Sequence, residues 1–121
     1  MRLKTMAVPA AIWLTTLTTA LADEQAPKQQ SLTCNIGPVV KTYGGSRWMV
    51  YGCNDAHSIV VVSAPGSPAT PFYFMFWWNG TTHQLHGEGT GDAKATDAAF
   101  ADLKNLTESD LAALLAETTK R

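Results

Sequence analysis

No excess of positive charge, no metal-ligand signature and no long apolar run mark this sequence, and each absence removes a class of function. Nine Lys and Arg stand against ten Asp and Glu, without a basic cluster. Nucleic acid binding wants a basic face, so no nucleic acid partner is expected, nor is an anionic membrane surface. With three His and two Cys, no C-x-x-C pair occurs. His86 and Glu88 form H-x-E but lack the P-C-x-x-C segment of zinc deaminases. Dinucleotide and P-loop glycine motifs are absent, as is a G-x-S-x-G elbow, so no cofactor and no metal are expected. Repeats and low-complexity tracts are also missing.

What is present begins with a charged start, Arg2 and Lys4, followed by an uncharged run over residues 6–17 and the small-x-small pattern Ala20-Leu21-Ala22. This order is that of a cleaved secretory signal peptide over residues 1–22. The competing reading is a retained anchor, but spanning needs roughly 20 consecutive apolar residues, and Pro9 and the threonine pairs interrupt this run. Asp23, not cysteine, follows the expected cut, which argues against a lipid anchor. No stable membrane anchor is therefore expected after cleavage, and the location is periplasmic or secreted. Arg2 and Lys4 leave with the signal, so seven basic residues face ten acidic ones and the net charge becomes −3. Residues 23–31 are polar, contain Pro27 and lack an apolar period, which reads as a flexible leader. Residues 32–121 then form one domain. Cys34 and Cys53 remain, and in an oxidising compartment they predict a disulfide rather than a redox pair.

Residues 32–87 are rich in β-branched and aromatic side chains cut by turn signals, the pattern of an antiparallel meander of four to five strands. The first strand, residues 32–43, is broken by Gly37-Pro38, which should make it an edge strand or place a bulge there. Gly44-Gly45 turns the chain into residues 47–53, and that hairpin brings Cys34 near Cys53. The run Ile59-Val60-Val61-Val62, within a strand at residues 57–64, implies a central strand buried on both faces. A proline-rich loop at residues 65–71 precedes Phe72 to Trp78. Asn79-Gly80 predicts a two-residue type I′ hairpin and a return strand at residues 81–87. The period then changes. Asp92 caps a helix at residues 93–104 that buries Thr96, Ala99, Phe100 and Leu103. Thr107 and Asp110 resemble a capping box that opens a helix at residues 108–118 burying Leu111, Leu114 and Leu115. The expected class is α+β: a meander followed by two short C-terminal helices packed on one face.

Six aromatic residues lie between Phe72 and Trp78, and strand alternation sorts them onto two faces. Phe72, Phe74, Phe76 and Trp78 form the expected core floor. Tyr73, Met75 and Trp77 share the other face with Thr82, Gln84, His86 and Glu88. Under the two-residue turn, Trp77 pairs with Thr82, Met75 with Gln84 and Tyr73 with His86. This second face either packs against the amino-terminal strands or the proline loop, or stays exposed as a binding surface.

The polar residues offer weaker candidates. The glycine-rich segment at residues 87–92 would present amides to an anion near a helix start. Asp55 and His57 suggest an acid/base pair, although a turn explains them equally. His83 and His86 point to opposite faces, which argues against joint metal ligation with His57. Asn79-Gly80-Thr81 and Asn105-Leu106-Thr107 match glycosylation sequons but are already explained by turns. The leading expectation is a small binding or accessory protein of the cell envelope, whose partner is an envelope or extracellular protein or a small ligand held through Tyr73, Met75, Trp77, Gln84, His86 and Glu88. The alternatives are a small hydrolase-type enzyme using His57, His83 or His86 with Asp or Glu, and a structural envelope component.

Overall fold

The computed structural model describes residues 31–120. The expected signal segment, and the expected leader up to residue 30, lie outside the described residues. Five strands, β1 (Ile36–Tyr43), β2 (Ser46–Gly52), β3 (Ile59–Ser63), β4 (Phe72–Trp78) and β5 (His83–Gly89), are followed by helices α1 (Ala93–Leu103) and α2 (Glu108–Thr119). The strands form one antiparallel sheet in sequence order. The α+β class, the disulfide and the two C-terminal helices agree with the sequence.

Alternation builds the core. Trp48 and Val50 of β2, Ile59 and Val61 of β3, and Phe74 and Phe76 of β4 are buried on one face of the sheet, where Ala99, Leu103, Leu111 and Leu114 of the helices meet them. Trp48 is fully buried, packs against Phe74 at 5.3 Å between ring centres, and donates its indole N–H to the Tyr43 carbonyl. Both helices are short enough to need this surface for stability, and both contact β1. Asp92 accepts from the Ala95 N–H at the start of α1. At the start of α2, Thr107 and Asp110 each accept the other's backbone N–H, which completes the capping box.

The first hairpin turns on Gly44 and Gly45, both at positive φ, between the paired residues Tyr43 and Ser46. Positive φ is open to glycine at little cost. Gly44 also lies against the backbone of α1, and its N–H donates to the Asp102 carboxylate at 2.6 Å. Near the open end of this hairpin Cys34 and Cys53 are joined. β1 is an edge strand with a bulge between Ile36 and Val39, at the expected Gly37-Pro38.

Four expectations need correction. The first strand begins at Ile36 rather than residue 32. β3 is central and spans Ile59–Ser63, shorter than expected, but it is buried on one face only, because no described element covers Val60 and Val62 on the other. The β4–β5 connection is a four-residue loop, not a two-residue turn. Asn79 donates its N–H to the Thr82 carbonyl, and its side-chain oxygen accepts from the N–H groups of Thr81 and Thr82. An asparagine that bonds its own following backbone stabilises such a loop. The return strand is therefore β5 at His83–Gly89, with Trp77 opposite Gln84, Met75 opposite His86 and Tyr73 opposite Glu88. Finally, Phe100 is 42% exposed; it covers the outer side of Phe74, with ring centres 6.3 Å apart.

Candidate functional site: the open face of the sheet

Side chains opposite the helices form rows across the strands. Val40, Met49, Val62, Tyr73 and Glu88 are successive register partners from β1 to β5. Tyr51, Val60, Met75 and His86 make the next row, and Trp77 with Gln84 begins a third. With strands about 4.8 Å apart, the first row crosses about 19 Å of sheet. The strands thus present a continuous aliphatic and aromatic platform whose β5 margin is polar.

All six residues singled out from the sequence, Tyr73, Met75, Trp77, Gln84, His86 and Glu88, lie on this face. Trp77 is 49% and Tyr73 39% exposed. Neither the amino-terminal strands nor the proline loop lies across them among the described residues, because β1 and β2 extend the same sheet edge-on. Thr82, expected beside them, instead sits in the loop and donates to Glu108. Val40, Met49, Tyr51, Val60 and Val62 belong to the same surface and were missed. Their signal was the alternation of Met49 and Tyr51 against the buried Trp48 and Val50.

Tyr73 donates its hydroxyl to Glu88 at 3.1 Å. That bond, together with the repulsion of the carboxylate, raises the Tyr73 pKa above its ordinary value, with a smaller push from partial burial. His86 lies 3.6 Å from the same carboxylate. A groove of about 470 Å³ runs along this end of the face, lined by Val62, Thr70, Pro71, Tyr73, Glu88 and Thr90. A depression of about 390 Å³ on the β1–β2 side is lined by Val40, Arg47, Met49 and the loop residues Pro65 and Pro68. Aromatic rings supply large contact area with few rotatable bonds, methionines adapt to irregular shapes, and the β5 margin supplies acceptors and donors.

The catalytic candidates do not converge. Asp55 accepts from the backbone N–H groups of His57 and Ser58 and from the Ser58 hydroxyl, so it holds a turn and not the His57 ring. Desolvation works against its charge, yet the Ser58 hydroxyl and the backbone donors outweigh it and lower its pKa. The buried Ser58 hydroxyl in turn accepts from the Trp78 N–H, tying this turn to β4. His57 stacks on Trp78 at 4.2 Å. His83 lies on the helix side, where Nδ1 contacts Glu108 at 2.6 Å and Nε2 contacts the His57 carbonyl at 2.7 Å. The His83 backbone N–H and ring both lower the Glu108 pKa, against a smaller desolvation effect. These contacts fasten α2 to the β4–β5 hairpin, and His86 is on the opposite face. Among the described residues no three His, Cys, Asp or Glu side chains share a metal-sized site.

The last three amides of the glycine-rich segment are likewise occupied. Thr90 and Gly91 donate their N–H groups to the Pro71 carbonyl and Asp92 donates to Pro68, which corrects the expectation that these amides await an anion. Asn79 is used in its loop, as above, and Asn105 donates to the Ala101 carbonyl. No described helix is long and apolar enough to cross a membrane. No family model, curated protein or solved structure matches this chain.

Proposed function

We propose that this chain is an exported binding domain that holds an apolar partner surface, with hydrogen-bond donors directed at Glu88 and Gln84, on the open face of its sheet. The observation that carries this reading is the platform of Tyr73, Met75 and Trp77, continued by Val40, Met49, Tyr51, Val60 and Val62, over which no other element lies among the described residues. Exposed apolar surface of this continuity costs solubility and is uncommon without a use. Export to the periplasm or the exterior rests on residues 1–22 and on the Cys34–Cys53 bond, which persists in an oxidising compartment. A carboxylate already satisfied by a tyrosine hydroxyl keeps free lone pairs for an incoming donor.

The test is photo-cross-linking in the native compartment from a reactive group placed at Trp77, compared with one placed at Phe100 on the helix side. A discrete cross-linked species is expected from the first position only. It should be lost when Tyr73→Ala is added, while thermal unfolding stays cooperative. Equal labelling from both positions, or labelling indifferent to Tyr73→Ala, would refute the assignment.

A further inference from the structure

We propose that the β5 edge pairs with β5 of a second copy of this chain, antiparallel about a two-fold axis at Gly87, to make one ten-stranded sheet. The two edges of the sheet are unlike. β1 carries Pro38, a bulge and Lys41, and both helices pack against it; proline, bulges and edge lysines are the usual guards against strand addition. β5 is paired with β4 without a shift over His83–Gly89, and it contains neither proline nor lysine.

Its backbone is also free. The Asn79–Thr82 bond and the Thr90–Pro71 bond bracket the hairpin. Antiparallel pairs alternate between hydrogen-bonded and non-bonded, so residues 84, 86 and 88 face β4 while Leu85, Gly87 and Gly89 turn outward. No acceptor for the N–H groups of these three is found among the described residues. The outward N–H of His83 is already given to Glu108, which closes the edge at that end and limits pairing to these three positions.

A two-fold axis at Gly87 uses all of them. Gly87 faces its own copy and Leu85 faces Gly89 of the second copy, giving about six backbone hydrogen bonds, two for each bonded pair. In the same register His86 stands opposite Glu88 of the second copy, and Glu88 opposite His86, so the donors and acceptors on the open face are self-complementary. Isologous contact of this kind is how two-fold dimers are built. A seam of this size belongs among the small interfaces, so the dimer depends on protein concentration. This does not rest on the partner reading above. It leaves the open face uncovered and doubles its width.

The experiment is sedimentation of the processed, disulfide-bonded protein over a concentration series, with amide hydrogen exchange at both ends of the series. Twice the monomer mass is expected at high concentration, with slowed exchange at Leu85 and Gly87 and unchanged exchange in β1. His86→Glu sets carboxylates opposite one another and should weaken the dimer at least tenfold. Adding Glu88→His should restore it, which a fold defect would not do. A monomer throughout would overturn the proposal. So would a dimer whose β5 amides exchange at the monomer's rate, or one indifferent to His86→Glu.

Discussion

Alanine at Gly44 and alanine at Gly45 separate the cost of a backbone conformation from the cost of a blocked contact. Both glycines have positive φ, 61° and 82°, so each substitution carries about 1–2 kcal/mol for left-handed backbone. At Gly45 nothing lies within 4 Å of the new Cβ, and that is the whole effect. At Gly44 the Cβ falls 2.3 Å from the Ala99 nitrogen and 2.4 Å from the Ala98 carbonyl carbon. These are helix backbone atoms, so no rotamer change relieves them and α1 must retreat. Overpacking of this kind costs about 1–3 kcal/mol. Retreat also stretches the Gly44 to Asp102 hydrogen bond, a charge-assisted contact of about 1.5–3 kcal/mol, and loosens the buried Ala99 and Leu103. Gly44→Ala is therefore expected to cost at least about 4 kcal/mol in sum and Gly45→Ala about 1–2 kcal/mol. At about 4–8 °C per kcal/mol for a domain of this size, their melting temperatures should differ by 10 °C or more, at about the low end of that scale. Urea unfolding followed by circular dichroism measures both, and Asp102→Asn reports the hydrogen bond alone. Equal losses at the two glycines would refute the close packing of α1 on the hairpin tip.

Four further outcomes are expected. Replacing Cys34 and Cys53 by serine should cost about 3 kcal/mol, the loop-closure value for this separation, and unchanged melting of the reduced protein would contradict it. Ser58→Ala removes a buried hydroxyl that serves both Asp55 and the Trp78 N–H, for about 1–3 kcal/mol by denaturant titration; Asp55→Asn should flatten the acid limb of the stability profile. The sign follows from a folded Asp55 pKa below the unfolded one: its contribution is complete above about pH 4 and disappears as pH falls through the lower folded value. Tyr43 is expected to titrate near pH 12, because burial, then Glu117 and Asp102, disfavour its phenolate. Its contribution is present below about pH 10 and lost as pH rises through 12. Ultraviolet titration giving three tyrosines of ordinary behaviour would contradict this.

Much of the fold was legible because local alternation is a local property. Phe72, Phe74 and Phe76 against Tyr73, Met75 and Trp77 sorted correctly even though the turn between β4 and β5 was misjudged. The loop is two residues longer, and a slip of two preserves side-chain parity where a slip of one would reverse every face. What changed was pairing, and with it the Tyr73 to Glu88 hydrogen bond. The glycine-rich segment misled for a related reason. Its amides looked free in sequence, but the carbonyls that take those of Thr90, Gly91 and Asp92 belong to Pro68 and Pro71 in the loop before β4.

The sequence by itself determined the secondary structure, its caps, the disulfide partners and which side chains share a face, since each follows from neighbours within a few residues or from the lack of any other cysteine. Only the tertiary structure decided which face is covered. Both helices dock over β1 on the Trp48, Phe74 side, α2 reaching β2 as well, because that face offers the larger buried aromatics and a Gly44 tip that admits helix backbone. Among the described residues Tyr73, Met75 and Trp77 are left without a layer for the same reason: two short helices cover one face of a five-stranded sheet, and burial depends on where distant segments meet rather than on the residues themselves.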